Sequence, residues 1–169
     1  MILDRRPPRC RLAGAATWAA PALFFLALAS APASAQPLEG SSPAPEPAIV
    51  ARLAPRSLLL DAVERGDLWV AVGERGHILL SRDRGASWSQ SSVPTRAQLT
   101  GVWMHDDRLG WAVGHDEVIL RTSDGGETWT KVHEAPQAER PLLDIWFADA
   151  QRGIAIGAYA AYYTTADGG

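Results

Sequence analysis

The chain is predicted to be all-β, a β-propeller of four-stranded antiparallel blades. Three observations predict it. Landmarks recur at fixed spacing: Gly73, Gly114 and Gly157 lie 41 and 43 residues apart, and so do Asp83, Asp124 and Asp167. Internal repetition of this period is the mark of stacked supersecondary units. Each repeat resolves into short runs of alternating apolar residues separated by turn residues, which is strand patterning. Beyond the N-terminus no window keeps a 3.6-residue apolar period, so helices are expected to be scarce there.

Taken from the start, residues 1–35 read as a signal peptide. Arg5, Arg6, Arg9 and Arg11 form a basic n-region, residues 19–28 (AAPALFFLAL) an apolar core, and Ala33-Ser34-Ala35 a small-residue cleavage site before Gln36. The alternative is an uncleaved membrane anchor, which Pro21 and the many alanines weaken. Pro7-Pro8 follow Arg5-Arg6 where a twin-arginine signal carries an apolar pair. The expected location is therefore outside the cytoplasm, in a periplasm. Removing residues 1–35 lowers Lys+Arg from 16 to 12 and Asp+Glu from 19 to 18, leaving a net charge near −6. That balance argues against a general nucleic-acid binder. Cys10, the one cysteine, lies in the n-region, so the mature chain has no disulfide and no cysteine metal site.

Residues 36–55 are rich in Pro, Ala and Ser with few large apolar side chains, and read as a linker. The propeller is expected over residues 56–169, with blades at about 56–95, 96–138 and an incomplete 139–169. The second unit is the clearest. Its expected strands are residues 99–104 (LTGVWM), 109–114 (LGWAVG), 117–122 (EVILRT) and 127–133 (ETWTKVH). Four strands in this length make one blade.

Between the third and fourth strands lies a motif, Ser/Thr-x-Asp-x-Gly-x-x-Trp. It occurs as Ser81, Asp83, Gly85, Trp88 and as Thr122, Asp124, Gly126, Trp129; a third copy runs Thr165, Asp167, Gly169. The chemistry is that of a turn. An aspartate accepts backbone N–H groups two residues on, and a Ser or Thr hydroxyl does so more weakly. Glycine supplies the positive φ, and the tryptophan leads the outer strand and covers the hairpin. A catalytic or Ca²⁺ role for the repeated aspartate is not needed to explain any position.

These residues resemble the Asp-box (BNR) repeat. The layout of residues 70–88 and 111–129, with the lead-in of residues 142–149 (LLDIWFAD), resembles the Ycf48/HCF136-like photosystem II assembly-factor family. The resemblance covers roughly residues 56–169. It implies a seven-bladed, exported, non-catalytic propeller without cofactor that binds a membrane-protein assembly intermediate, and an arginine patch on one propeller face. In photosynthetic organisms the partner is a photosystem II subunit and the compartment the thylakoid lumen. Relatives in non-photosynthetic bacteria leave the partner open. Only about 2.5–3 blades are present, too few to close a ring, and an open array leaves strand edges exposed. The expectation is a truncation of a longer protein.

Arg56, Arg96 and Arg140 each precede an expected innermost strand by two or three residues. At one mouth of a propeller they would form a basic collar for acidic peptide or carboxylate groups. Solvated loop charges are the competing reading. The four histidines show no metal-ligand spacing; His105 and His115 read as solvated turn residues. Trp69, Trp103, Trp111 and Trp146 are expected in inter-blade core. A sialidase-like BNR glycoside hydrolase would need an arginine triad, a Tyr/Glu nucleophile pair and an aspartic acid. No such constellation is visible in the sequence: Tyr162 and Tyr163 overlay on strand positions Ile119 and Leu120. A carbohydrate-binding propeller is the remaining alternative.

Overall fold

The computed structural model describes residues 46–169; the expected signal peptide and residues 36–45 of the expected linker lie outside the described residues. Three antiparallel sheets follow one another. The first comprises β1 (Leu59–Arg65), β2 (Leu68–Gly73), β3 (Ile78–Ser81) and β4 (Ser89–Gln90), hydrogen-bonded in that order. The second repeats it with β5 (Leu99–Met104), β6 (Gly110–Gly114), β7 (Ile119–Thr122) and β8 (Thr130–His133). The third holds β9 (Leu142–Phe147), β10 (Gly153–Gly157) and β11 (Tyr162–Thr165). The all-β propeller architecture is thus present as three blades. Among the described residues helical backbone is confined to short 3-10 turns, and no helix is long and apolar enough to cross a membrane.

The blades face one another through alternate residues, as the pleat demands. Val70, Val72 and Leu80 of the first blade meet Val102, Ala112 and Leu120 of the second in one apolar cluster. The other face of the second blade, Trp111 and Val113, meets Leu142, Ile145 and Phe147 of the third. The first strands of the blades lie side by side and point the same way. The Arg65 side chain donates to the Met104 carbonyl at 2.8 Å near their C-terminal ends, and Thr100 Oγ1 donates to the Leu142 carbonyl at 2.6 Å near their N-terminal ends. Each of the three carries a bulge at the same place, between residues 59 and 61, 99 and 101, and 142 and 144. There the backbone of the first strand crowds the end of the second. A Cβ at Gly73, Gly114 or Gly157 would sit 2.0, 2.1 or 2.3 Å from the carbonyl of Leu58, Gln98 or Pro141. Close approach therefore explains the recurring glycine that first revealed the repeat.

Some boundaries differ from the sequence reading. In the second blade the third strand starts at Ile119, because His115–Glu117 form a 3-10 turn with Asp116 and Glu117 left-handed, at φ 60° and 51°. The fourth strand starts at Thr130, after the tryptophan, because residues 123–128 are taken up by the Asp-box turn. Trp111 is fully buried between blades, and Trp69 and Trp103 are partly buried. Trp146 lies on the face of the third sheet turned away from the second blade; it is 50% exposed, with the Trp103 ring 6.3 Å away. Residues 46–55, read as linker, lie along the first blade. Ala48 N–H donates to the Val93 carbonyl, and the Gln90 amide accepts from Ala51 N–H and donates to the Ile49 carbonyl.

Candidate functional site

The connectors that enter β1, β5 and β9 emerge at one end of the array, since those strands run in the same direction. They carry Arg56, Arg96 and Arg140. Arg56 is exposed and ends the 3-10 turn Ala54–Arg56. Arg96 is exposed, pairs with Glu46 and donates through Nε to the Pro47 carbonyl at 3.0 Å. Arg140 is half-buried and differs from both: its guanidinium lies 2.6 Å from Glu117 Oε1. The three therefore share an end of the fold but have unlike surroundings.

Glu117 was not singled out by the sequence reading. It stands three residues after Gly114, as Gly76 stands three after Gly73, and both are left-handed. In the first blade a Cβ there would lie 2.0 Å from the Thr95 carbonyl, so only glycine fits. In the second blade the slot admits a glutamate, at a backbone cost of order 1–3 kcal/mol. Its side chain is fully buried. Tyr163 Oη donates to Glu117 Oε2 at 2.5 Å, Arg140 contacts the other oxygen without hydrogen-bond alignment, and the Glu117 N–H donates to the Arg140 carbonyl. His133 Nε2 lies 4.0 Å from Oε2, and its ring tilts against Tyr163 at 4.8 Å. The hydrogen bond to Glu117, then burial, raises the Tyr163 hydroxyl pKa above its ordinary value. The sequence signal was an acidic residue in a glycine slot, and it was read as the start of a strand.

This grouping brings a Tyr/Glu pair and one arginine together, two of the parts a sialidase-like reaction needs. The carboxylate, however, has no exposed surface, and it binds the second blade to the third. Elsewhere on this end His77 is buried and its Nδ1 lies 2.9 Å from Ser57 Oγ. His105 and His115 are exposed turn residues. Among the described residues no cluster of His, Cys, Asp or Glu could hold a metal ion.

The Asp boxes are closed turns. In the second, Thr122 Oγ1 donates to Asp124 at 2.8 Å and accepts the Gly126 N–H at 3.0 Å. Asp124 accepts the Thr128 N–H at 3.1 Å and the Thr128 hydroxyl at 2.5 Å. The first box repeats this with Ser81, Asp83, Gly85 and Ser87. In the third, Thr165 Oγ1 donates to Asp167 and accepts the Gly169 N–H. The amide that closes the first two boxes lies four residues past the aspartate, not two, and the residue before each tryptophan is a hydroxyl donor. Trp88 and Trp129 donate through Nε1 to the carbonyls of Gly85 and Gly126. Gly85 and Gly126 hold φ of 88° and 83°.

The Asp83 carboxyl is lowered to about 2, chiefly by the Ser87 hydroxyl and amide. For Asp124 burial opposes ionisation, but the bonds from Thr128 and Thr122 outweigh it and hold the carboxyl at about 2. Because the folded value lies below the unfolded one of about 3.9, the stability these groups contribute is present above pH ~4 and is lost as pH falls toward 2. Asp124→Ala is expected to cost about 1–3 kcal/mol, by leaving turn donors unpaired, and to blunt acid destabilisation between pH 4 and 2. Urea titrations at pH 7 and pH 3 check both; equal losses from Asp124→Ala at the two values would deny the carboxylate its role.

The sequence profile of the photosynthesis system II assembly factor YCF48 family matches residues 57–141, half of the chain. The photosystem II stability/assembly factor HCF136 of Arabidopsis thaliana is 28% identical over 95 residues, 54% of this chain and 23% of that protein. HCF136 of Cyanidioschyzon merolae is 38% identical over 80 residues, 44% of this chain and 18% of that protein. Among solved structures, YCF48 bound to a D1 peptide superposes with a TM-score of 0.59 at 23% identity, over 73% of this chain and 41% of that one. YCF48 from Cyanidioschyzon merolae gives 0.58 at 24%, over 67% and 38%. At these identities the superpositions speak for the fold. The chain spans about a quarter or less of the curated relatives it matches.

Proposed function

Because the chain belongs to the YCF48 photosystem II assembly-factor family, we propose that it is an exported, non-catalytic propeller module that binds a protein during assembly of a membrane complex. The observation that carries this reading is the family match together with one arginine-bearing connector per blade at a single end. Guanidinium groups suit carboxylates and acidic peptide segments, which they engage in paired hydrogen bonds. A relative solved with a D1 peptide supports a peptide of a membrane-protein subunit as the bound species. The export signal read in residues 1–35 supports a periplasmic site of action, or a lumenal one in a photosynthetic cell.

Arg56 and Arg96 are the arginines through which binding is tested, because Arg140 is committed to Glu117. The expected result is that Arg56→Glu with Arg96→Glu weakens capture of an acidic peptide with a free carboxylate by about tenfold or more at low salt, and by less as salt rises. Unchanged affinity would reject the arginine end as the binding surface. The glycosidase alternative is tested in parallel: turnover of a fluorogenic sialoside that Tyr163→Phe abolishes would replace the assembly reading.

A further inference from the structure

Residues 46–51 lie on the first blade in the manner of a bound peptide. They run antiparallel to residues 90–96. Ala51 N–H donates to the Gln90 side chain at 2.9 Å, Ala48 N–H to the Val93 carbonyl at 2.9 Å, and Arg96 Nε to the Pro47 carbonyl at 3.0 Å. The Gln90 amide also donates to the Ile49 carbonyl at 2.9 Å. At the end of this run the Glu46 carboxylate pairs with the Arg96 guanidinium. The rail beneath is fixed from its other side. Ser92 forms a parallel bridge with Thr128 of the second blade: its N–H donates to the Glu127 carbonyl, and its carbonyl accepts the Trp129 N–H, both at 3.2 Å. Residues 90–96 thus offer an amide, a carbonyl and a guanidinium in an order that an extended, acid-tipped segment matches.

The two ends of the segment are held unequally. At its C-terminal side Ala51 packs against a cluster in which Ala54 is buried with Ala71 and Leu79. At its N-terminal tip the Glu46 and Arg96 side chains are 65% and 45% exposed. An ion pair so exposed contributes little, so a competing carboxylate displaces it at small cost. Arg140 differs, because its partner Glu117 is buried and cannot leave.

Taking the arginine end as the surface for acidic peptides, we propose that Glu46 and Pro47 are an internal ligand of that surface, occupying Arg96 until the carboxylate of a partner peptide displaces them. The tip lifts while the buried anchor at Ala54 stays in place. The chain thereby lowers its own affinity for isolated acidic groups. A partner gains Arg96 only if its segment is extended and brings a carboxylate to the place that Glu46 leaves.

The probe is a fluorescein-labelled Glu-Ala-Glu-Ala-Glu-Ala peptide with a free C-terminal carboxylate, titrated with the full chain at low salt. Glu46→Gln is expected to bind it about three- to fivefold more tightly than the unsubstituted chain, the scale of one exposed ion pair. Arg96→Ala added to Glu46→Gln should erase that gain. Glu64→Gln removes the same charge at an exposed position near the far end of β1 and should not reproduce it. Equal affinity of Glu46→Gln and the unsubstituted chain, an equal gain from Glu64→Gln, or a gain that survives Arg96→Ala overturns the internal ligand. If Arg96→Ala nonetheless weakens binding by the unsubstituted chain, the arginine end stands as the binding surface without it. Binding by none of these chains at millimolar peptide overturns both.

Discussion

Trp111→Ala is expected to lower the unfolding free energy by about 3–5 kcal/mol, the range for emptying a large buried aromatic site. Trp111 has no exposed surface, its ring stacks on Phe147 with centroids 3.4 Å apart, and its Nε1 donates to the Gly168 carbonyl at 2.9 Å. One side chain therefore joins the second blade to a strand and to a turn of the third. Trp111→Phe separates the contributions. It keeps the stacking partner and loses the indole donor, so it should cost about 1–2 kcal/mol. Urea titration of the two variants measures both. A loss below about 1 kcal/mol for Trp111→Ala would mean that the third blade is not held through this contact.

Arg140→Ala is expected to cost about 3 kcal/mol, because it leaves a buried carboxylate with no cation beside it. The expectation is specific to the charge. In a Glu117→Gln background, where the buried group is neutral and keeps its Tyr163 partner, the same substitution should cost about 1 kcal/mol. The four unfolding free energies form a double-mutant cycle, and equal costs in the two backgrounds would show that Arg140 acts by packing alone. Arg140 is the least suitable of the three arginines for a binding test, since its loss disturbs the junction between blades whatever it does to a ligand.

Much of the fold was legible because its signals are local. The Asp box holds donor, acceptor and left-handed glycine within eight residues, as in Ser81 to Trp88, and its hydrogen bonds close within the motif. The recurring Gly73, Gly114 and Gly157 were equally legible, though their reason, a carbonyl about 2 Å from where a Cβ would stand, shows only in three dimensions. The clamp of Glu117, Arg140 and Tyr163 was not legible. Its members are up to 46 residues apart, and its signal is one residue standing where the first blade has glycine. The packing of residues 46–55 was missed because its partners, Gln90, Val93 and Arg96, lie some 40 to 50 residues further along the chain.

The parallel bridge between Ser92 and Thr128 sets the cooperative unit out of step with the repeat. The last turn of the second blade is finished by the first, so opening the first blade also frees the amide of Trp129 in the second. Native-state hydrogen exchange should therefore follow the seams. The amides of Ser92 and Trp129 should exchange together, ahead of those within β5 and β6, and the smallest segment that opens by itself would begin in one sequence repeat and end in the next.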